Sequence, residues 1–236
     1  MEGSVYGIVL AAGRGKRMGS ETPKQYLMLG GYPVLYHSLK AFEDSQADGV
    51  ILVTGAEEID YCRTRIVEKY GLHKVRAIVA GGAERYESVS CGLAACESCG
   101  DCRYVLIHDG ARPLVTPEVI NANIRCAAEF GACVTAVPSK DTIKLANEDG
   151  FVEDTPERSR LWIIQTPQSF AYMVVREAYD QRERMQDESV TDDAMVVERY
   201  GRIPVKLMMG DYRNIKLTTP EDLPVMEALL GQMRSL

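Results

Sequence analysis

A basic, glycine-rich loop follows the first apolar segment of the chain. The segment, residues 6–12, is long enough for a buried strand and too short for a buried helix of normal length. The loop, residues 13–19, combines two early glycines with Arg14, Lys16 and Arg17, and Lys24 follows soon after. Glycines let backbone N–H groups approach an anion closely, and the cations neutralise its charge. A strand followed by such a loop indicates a polyphosphate site.

Two familiar phosphate-binding patterns do not fit this loop. The dinucleotide pattern G-x-G-x-x-G needs its third glycine one residue earlier than Gly19, and Pro23 interrupts any helix just beyond. The pattern G-x-x-x-x-G-K-[ST] needs a glycine where the chain has Met18. Taken alone, therefore, the loop could equally be a solvated turn with scattered charges.

Short apolar strands alternate with amphipathic helices in the first part of the chain. After the first strand, strands are predicted at residues 50–53, 75–79, 104–107 and 133–137. Helices are predicted at residues 33–42, 57–70, 84–96 and 117–130, the last with Thr116 as its N-cap. This alternation predicts an α/β fold with a Rossmann-like, mostly parallel sheet that carries helices on both faces.

Residues 138–160 break this alternation. The stretch is polar and has no helical period, and residues 147–150 form a turn signal. Residues 142–145 before the turn and residues 151–152 after it could pair as a hairpin. Such a hairpin has little core of its own, so we expect a projecting arm that packs on something else.

The α/β pattern resumes after the arm. Extended segments are predicted at residues 162–164, 205–208 and 214–217. Helices are predicted at residues 172–184, from a Thr191 cap to a residue before Gly201, and from residue 219 onward, where Thr-Pro-Glu-Asp is a strong helix start.

Composition excludes several classes of protein. The chain has 236 residues, 46% apolar and 26% charged, which is ordinary for a globular protein with a sizeable core. A net charge of −7 argues against a general nucleic-acid surface. Because neither a membrane-spanning apolar run nor a signal peptide is visible, we expect a cytoplasmic protein with no nucleic-acid or membrane partner.

The seven cysteines need an interpretation. A run spaced C-x4-C-x2-C-x2-C resembles an iron–sulfur or zinc ligand set, and it comprises Cys91, Cys96, Cys99 and Cys102. The alternative places the first two on a helix and the last two in the turn after it, and we favour it because no His or Asp cluster supports a metal. Small core residues are predicted at Cys62, Cys126 and Cys133, with all thiols reduced.

Several predicted strand ends are polar. They are the basic loop, residues 81–88, residues 108–113 and residues 214–216. Each has a possible structural explanation, such as an ion pair between Asp109 and Arg112 or a solvated charge at Lys216. Ligands of open α/β sheets bind at the carboxyl ends of the strands, however, so the joint position of these residues favours one shared site.

The residues around the basic loop form a longer and more specific motif. Residues 10–29 contain L-A-A-G-x-G-x-R-M followed by P-K-Q-Y-L. This string resembles the opening of the nucleotidyltransferases that make nucleoside-diphosphate sugars and alcohols. It is most similar to the cytidylyltransferases that act on methylerythritol phosphate in non-mevalonate isoprenoid synthesis.

Further motifs extend the resemblance over residues 5–230. They are G-G-x-E-R-x-x-S at residues 81–88, H-D-x-A-R-P at 108–113, P-x-x-D-T-x-K at 138–144, T-P-Q-x-F at 166–170, T-D-[DE]-A at 191–194 and N-I-K-x-T-x-P-E-D at 214–222. Two positions depart from the family pattern. Ala83 stands where an acidic or another polar residue can occur, and Gly110 stands where alanine is common.

The resemblance implies a role for residues in each motif. Those implied to bind the nucleotide are Ala11, Ala12, Gly13, Gly15, Gly82, Ser88 and Asp109. Those implied to act as catalytic cations are Arg17, Lys24, Arg158 and Lys216. Those implied to contact the acceptor are Arg112, Thr142, Thr166 and Thr191. Asp109 would also stand near Mg²⁺, the implied cofactor and a hard cation that prefers oxygen ligands.

The implied reaction needs charge neutralisation rather than a general base. A phosphate oxygen of the acceptor, a sugar-alcohol phosphate, attacks the α-phosphorus of CTP, and pyrophosphate leaves. The nucleophile is already an anion at neutral pH, so a chain with only three histidines can still be an enzyme. Positive charge from Arg17 and Lys24 would cancel the repulsion between phosphates and stabilise the transition state.

The expected organisation is one nucleotidyltransferase domain, residues 1–236, with a dimerisation arm at residues 138–160. The arm is polar yet carries Thr142 and Arg158, so we expect a homodimer in which each arm completes its partner's site. Two alternatives stay open. A ribitol phosphate cytidylyltransferase more often has a second glycine in the string L-A-A-G, and a non-catalytic nucleotide-binding regulator would have lost Arg17, Lys24 or Asp109.

Overall fold

The computed structural model describes residues 3–13 and 22–234. Within these ranges the strands are β1 (Ser4–Leu10), β2 (Met28–Leu29), β3 (Tyr32–Pro33), β4 (Gly49–Thr54), β5 (Val75–Ala80), β6 (Cys102–Asp109), β7 (Ala132–Pro138), β8 (Leu145–Ala146), β9 (Val152–Asp154), β10 (Trp162–Ala171) and β11 (Lys206–Met209). The α-helices are α1 (Val34–Glu43), α2 (Ile59–Tyr61), α3 (Arg85–Ser98), α4 (Pro117–Phe130), α5 (Tyr172–Met185), α6 (Asp193–Val196) and α7 (Asp222–Arg234). Turns of 3₁₀ helix occupy Lys24–Tyr26, Ala56–Glu58 and Arg158–Arg160, and π-helical turns extend α2 over Cys62–Glu68 and α6 over Val197–Gly201.

The central sheet has the strand order β11-β7-β10-β6-β1-β4-β5. β10 runs antiparallel to β6 and β7, whereas the other neighbouring pairs are parallel. The predicted α/β fold with a mostly parallel sheet is therefore confirmed. Because β1, β4, β5 and β6 point the same way, their carboxyl ends lie along one edge of the sheet, where ligands of such folds bind.

The strands at the centre of the sheet are buried on both faces. Ile8 of β1 and Ile51 of β4 belong to the apolar cluster on one face, and their neighbours Val9 and Leu52 belong to the cluster on the other. Successive side chains of a strand point to opposite faces. This burial explains why these strands are continuous apolar runs without polar alternation.

α4 begins and ends where the sequence predicts. The Val119 N–H donates to Thr116 Oγ1 at 3.4 Å, so Thr116 is the N-cap. The helix ends at Gly131, whose φ of 78° is in the left-handed region that glycine adopts without strain.

β10 is much longer than the predicted segment at residues 162–164. It continues to Ala171 and pairs with both neighbours, with a register shift between Ile164 and Gln168. The prediction stopped early because residues 165–169 are polar apart from Pro167, which has no N–H to donate. These polar side chains are nevertheless buried within the sheet.

The start of α6 differs from its prediction. Asp192 is the N-cap, because its carboxylate accepts the Met195 N–H at 2.9 Å, and Thr191 lies one residue too early. The helical turns also continue through Gly201 instead of ending before it.

Two predicted extended segments are also wrong in detail. Residues 214–217 form no strand. The Leu217 N–H donates to Ala111 O at 2.8 Å, but this single backbone hydrogen bond does not make a strand pair. In the arm, Leu145–Ala146 pairs with Val152–Asp154, so the hairpin lies slightly later than residues 142–145 and 151–152.

The cysteine run spans a helix, a turn and a strand. Cys91 and Cys96 lie on α3 and Cys99 is its C-cap, as predicted. Cys102 is the first residue of β6 and does not belong to the turn.

In the part of the chain that the structure describes, no helix is long and apolar enough to cross a membrane.

Candidate active site

A cleft of about 200 Å³ opens at the carboxyl ends of β1, β5 and β6. Predicted site residues that line it are Ala11, Ala12, Gly13, Lys24, Gly82, Ser88, Asp109 and Lys216. Tertiary structure thus brings together residues from opposite ends of the chain. The predicted residues Gly15 and Arg17 lie outside the described residues.

The glycine side of the cleft is formed by the start of α3. A Cβ atom on Gly82 would lie 2.3 Å from Glu87 Cβ, so this position accepts no side chain. Glu87 accepts the N–H groups of Ala83 and Glu84 at 2.7 and 3.1 Å and so caps the helix. Ser88 Oγ donates to Glu84 O at 3.2 Å, which leaves its lone pairs as acceptors.

Asp109 lies in the cleft among cationic side chains. Its Oδ2 is 2.7 Å from Lys216 Nζ and 3.7 Å from Arg112 Nε, and its Oδ1 is 3.6 Å from Arg85 Nε. Burial would raise the pKa of this carboxyl, but Arg85, Lys216 and Arg112 outweigh burial and hold the pKa well below its usual range. Asp109 is therefore ionised at neutral pH, within a region of surplus positive charge that suits phosphate groups.

A chain of hydrogen bonds holds Asp109 from behind. The Asp109 N–H donates to Thr166 Oγ1 at 3.1 Å, Thr166 Oγ1 donates to His108 Nδ1 at 3.0 Å, and His108 Nε2 donates to Arg112 O at 3.2 Å. This direction follows because a carbonyl oxygen only accepts, so Nε2 carries the ring proton. Burial lowers the pKa of His108 to about 4, so the ring is neutral at neutral pH.

Thr166 was predicted to contact the acceptor. Its side chain is buried, and its hydroxyl hydrogen is directed to His108 and not into the cleft. In this structure Thr166 supports the backbone of Asp109, and a direct contact with the acceptor stays a prediction.

Sequence reasoning did not single out Arg85 or Asp193. Arg85 lines the cleft and donates to the two oxygens of Asp193 at 2.8 and 2.7 Å. Asp193 is fully buried and also accepts from the Tyr179 hydroxyl at 2.5 Å. Both residues stand within motifs quoted above, but 108 positions separate them, so only the fold reveals the pair.

The predicted acceptor residues are not gathered in the cleft. Arg112 is closest, since it neighbours Asp109 and donates through Nη1 to Asn214 O at 2.8 Å. Thr191 lies beside a separate small cavity next to Arg85. Thr142 and Arg158 are exposed in the arm and do not line the cleft.

The fold and the cleft together define a class of protein. A Rossmann-like sheet with a glycine-edged, cationic cleft at its carboxyl edge is the arrangement of a nucleotide-binding α/β protein that handles phosphate groups. The family model described as IspD, 2-C-methyl-D-erythritol 4-phosphate cytidylyltransferase, matches residues 5–232. The chain belongs to this family.

Individual relatives agree with the family match. A 2-C-methyl-D-erythritol 4-phosphate cytidylyltransferase from Lachnoclostridium phytofermentans is 50% identical over 228 residues, which cover 97% of each chain. The crystal structure of 4-diphosphocytidyl-2C-methyl-D-erythritol synthase from Anaerococcus prevotii has a TM-score of 0.84 and 33% identity, covering 97% of this chain and 96% of that one. The corresponding cytidylyltransferase structure from Thermus thermophilus has a TM-score of 0.75 and 31% identity, covering 95% and 98%.

Proposed function

We propose that this chain transfers the cytidylyl group of CTP to 2-C-methyl-D-erythritol 4-phosphate. The products are 4-diphosphocytidyl-2-C-methyl-D-erythritol and pyrophosphate, and the reaction serves isoprenoid precursor synthesis. The observation that carries this proposal is one cleft in which Gly82, Lys24, Asp109 and Lys216 meet, in a chain that belongs to the family.

Charge drives the proposed mechanism. Lys24 neutralises the triphosphate as pyrophosphate leaves, a task that the prediction shares with Arg17. Lys216 and Arg112 hold the phosphate of the acceptor beside Asp109, where repulsion between the two substrates is greatest. Fixed cations of this kind stabilise the transition state because they need no reorganisation during the reaction.

Asp109 is the residue that would hold a Mg²⁺ ion. Within residues 3–13 and 22–234, no group of three or more His, Cys, Asp or Glu side chains could hold a metal on its own. A single carboxylate nevertheless fits Mg²⁺, which proteins commonly bind through one or two carboxylates together with substrate phosphates and water. When bound, the ion supplies further positive charge at the phosphates.

The test is pyrophosphate release with CTP, Mg²⁺ and a panel of sugar-alcohol phosphates. Methylerythritol phosphate should react faster than ribitol phosphate, and ATP, GTP and UTP should be poor donors. Faster turnover of ribitol phosphate would overturn the acceptor, and equal use of all four nucleotides would overturn the choice of CTP. Nucleotide binding without turnover would indicate a regulator.

A homodimer with exchanged arms is part of the proposal, with residues 1–236 as one domain and residues 138–160 as the arm. The arm exposes apolar side chains, with 72% of Phe151, 60% of Val152 and 50% of Leu145 accessible. Exposed apolar surface of this kind marks association sites. Light scattering should give the mass of a dimer, and a monomer at working concentration would contradict the exchange.

We also place the protein in the cytoplasm. Support comes from its seven cysteines, which are all free, as expected in a reducing compartment. Fractionation of cells that express the chain should recover it with cytoplasmic markers.

A further inference from the structure

The 3₁₀ turn Lys24–Tyr26 connects three separate parts of the molecule. Each of its three side chains forms a polar contact with a different element. These contacts reach the segment before α7, the end of β1 and the end of β4. The turn is therefore a junction between elements that are distant in sequence.

The first contact ties Lys24 to the acceptor side of the cleft. Lys24 Nζ donates to Leu217 O at 2.7 Å. The preceding residue is Lys216, whose ammonium is 2.7 Å from Asp109 Oδ2. The Leu217 N–H donates a hydrogen bond to Ala111 O at 2.8 Å. The backbone of Leu217, which follows Lys216 and accepts from Lys24, is therefore held in place.

The second contact ties the turn to the nucleotide side. Gln25 is buried, and its Nε2 donates to Ala11 O at 2.8 Å. The N–H of Ala11 donates to Val53 O at 2.7 Å, so this peptide is held on both sides.

The third contact anchors the turn in the body of the protein. The Tyr26 hydroxyl donates to Glu58 Oε2 at 3.0 Å and lies 3.1 Å from Thr54 Oγ1 and 3.2 Å from Cys62 Sγ. Thr54 Oγ1 and Gly55 N–H donate to the same Glu58 oxygen at 3.1 and 3.3 Å. Burial, together with Cys62, raises the pKa of Tyr26 far above its usual value, so the hydroxyl keeps its proton and remains a donor.

We propose that Gln25 and Tyr26 are positioning residues for the transfer reaction, which set the distance from the Lys24 ammonium to the Ala11 backbone and to Lys216. This inference rests on the proposed function. The turn joins the part of the cleft that binds the nucleotide to the part that binds the acceptor. Packing alone would not require the Tyr26 hydroxyl and its polar partners, since the ring of a phenylalanine would fill nearly the same space.

The main experiment compares Tyr26→Phe with Tyr61→Phe. Tyr61 is the matched control, because the centroid of its ring lies 4.9 Å from that of Tyr26 but the residue is 44% exposed, whereas Tyr26 is buried. Pyrophosphate release at saturating CTP and methylerythritol phosphate is divided by the number of CTP-binding sites found by calorimetry. Tyr26→Phe should lower turnover per site about 10-fold to 100-fold, since displacing a catalytic group by 1 Å can cost this much. Tyr61→Phe should behave like the unaltered protein.

A second pair tests the anchor itself. Glu58→Gln should also lower turnover per site, whereas Glu57→Gln, at an exposed neighbouring position, should not. The double variant Tyr26→Phe/Glu58→Gln should be no worse than the more impaired single variant, because both changes break one network.

The outcomes separate this inference from the proposed function. A lower melting temperature with unchanged turnover per site would make Tyr26 merely structural and overturn the positioning role. Additive losses in the double variant would likewise contradict the shared network. If the unaltered protein released no pyrophosphate from CTP, the proposed function itself would fail.

Discussion

The cleft and the arm differ in which groups they bury: the cleft buries charged side chains, whereas the arm exposes apolar ones. In and behind the cleft, the carboxyl groups of Asp109 and Asp193 are buried, and each is paired with cations or hydroxyl groups of the same chain. In the arm, by contrast, residues 140–155 are exposed throughout, including the rings and branched chains of Phe151 and Val152. The two buried carboxyl groups thus find partners within one chain, whereas the arm leaves apolar surface for another molecule.

The two regions also differ in what holds their side chains in position. Charged side chains in the cleft are held by hydrogen bonds within the chain, such as those from Lys24 Nζ to Leu217 O and from Arg112 Nη1 to Asn214 O, so their geometry exists before any ligand arrives. The arm hairpin has few contacts with the sheet, apart from links near its base such as the Lys140 ammonium 3.6 Å from the Tyr212 ring centroid. Substitutions that remove charge should therefore have their main effect through the cleft. The contribution of the arm should instead depend on whether two subunits associate.

The largest effect should come from removing the positive charge of Lys24, one of the cations that line the cleft. Lys24→Ala should lower kcat by about 10²–10³-fold, about 2.7–4 kcal/mol in activation free energy, because the charge acts in the transition state. Steady-state kinetics with both substrates give the measurement. If kcat is unchanged and only the KM for CTP rises, Lys24 is a ground-state contact and not a catalytic one.

Mixing two defective variants tests whether the arm belongs to the neighbouring site. Lys24→Ala changes the cleft and Arg158→Ala changes the arm, and each should be nearly inactive alone. After subunit exchange at equal amounts, half the dimers are mixed, and one site in each has both parts intact. Activity should recover to roughly a quarter of all sites. No recovery despite proven exchange would show that each arm serves its own cleft.

Breaking the buried ion pair behind the cleft should have a smaller but clear effect. Asp193→Asn leaves the Arg85 guanidinium with only its longer contact to Asp109, and it should destabilise the fold by about 3 kcal/mol, the low end for such pairs. The low end applies because the Arg85 side chain is 31% exposed. Asp44→Asn, which breaks the exposed pair Lys40–Asp44, is the control and should cost less than about 1 kcal/mol. Similar losses of unfolding free energy in both variants would contradict this account of the cleft.

Lowering the pH should reduce the stability of the fold through His108 before it does so through Asp109. The unfolded chain binds a proton on His108 below its ordinary pKa of about 6.5, whereas the folded protein, with a pKa of about 4, does not. Lowering the pH through this window therefore costs up to about 3 kcal/mol of stability. His108→Gln should flatten the dependence between these pH values, measured by denaturant unfolding. The pKa of Asp109 is depressed, so its contribution is lost only below its ordinary value of about 4.

The smallest effect is expected at the cysteine run. Replacing Cys99 and Cys102 with serine should leave activity and metal content unchanged, because a helix end and a strand start explain their spacing. Stoichiometric zinc or iron in the purified protein, lost on substitution, would reveal a metal site in this run.

Local patterns were enough to predict much of the fold. Thr116 and Pro117 predicted the start of α4, because a helix N-terminus depends on a few adjacent residues. The alternation of short apolar strands with helices predicted a mostly parallel sheet, since helices that connect parallel strands cover the faces of the sheet. Motifs at predicted strand ends likewise indicated the cleft residues Asp109 and Lys216, because the carboxyl ends of parallel strands share one edge. This reason holds for Asp109, which ends the parallel strand β6, whereas Lys216 lies in a segment that forms no strand.

Other features of the fold and the cleft depend on contacts between segments that are distant in the sequence. β10 was underestimated because its buried polar residues are satisfied by partners from distant segments, as when Asn214 Nδ2 donates to Thr166 O at 2.8 Å. The pair Arg85–Asp193 and the junction at Tyr26 depend on contacts across 108 and 32 positions. The sequence alone determined which side chains could carry charge and approximately where the parallel strands β1, β4, β5 and β6 would end. Which charges meet, and which polar groups are buried with partners, was decided by packing, because hydrogen bonds and ion pairs depend on distance in space and not on separation along the chain.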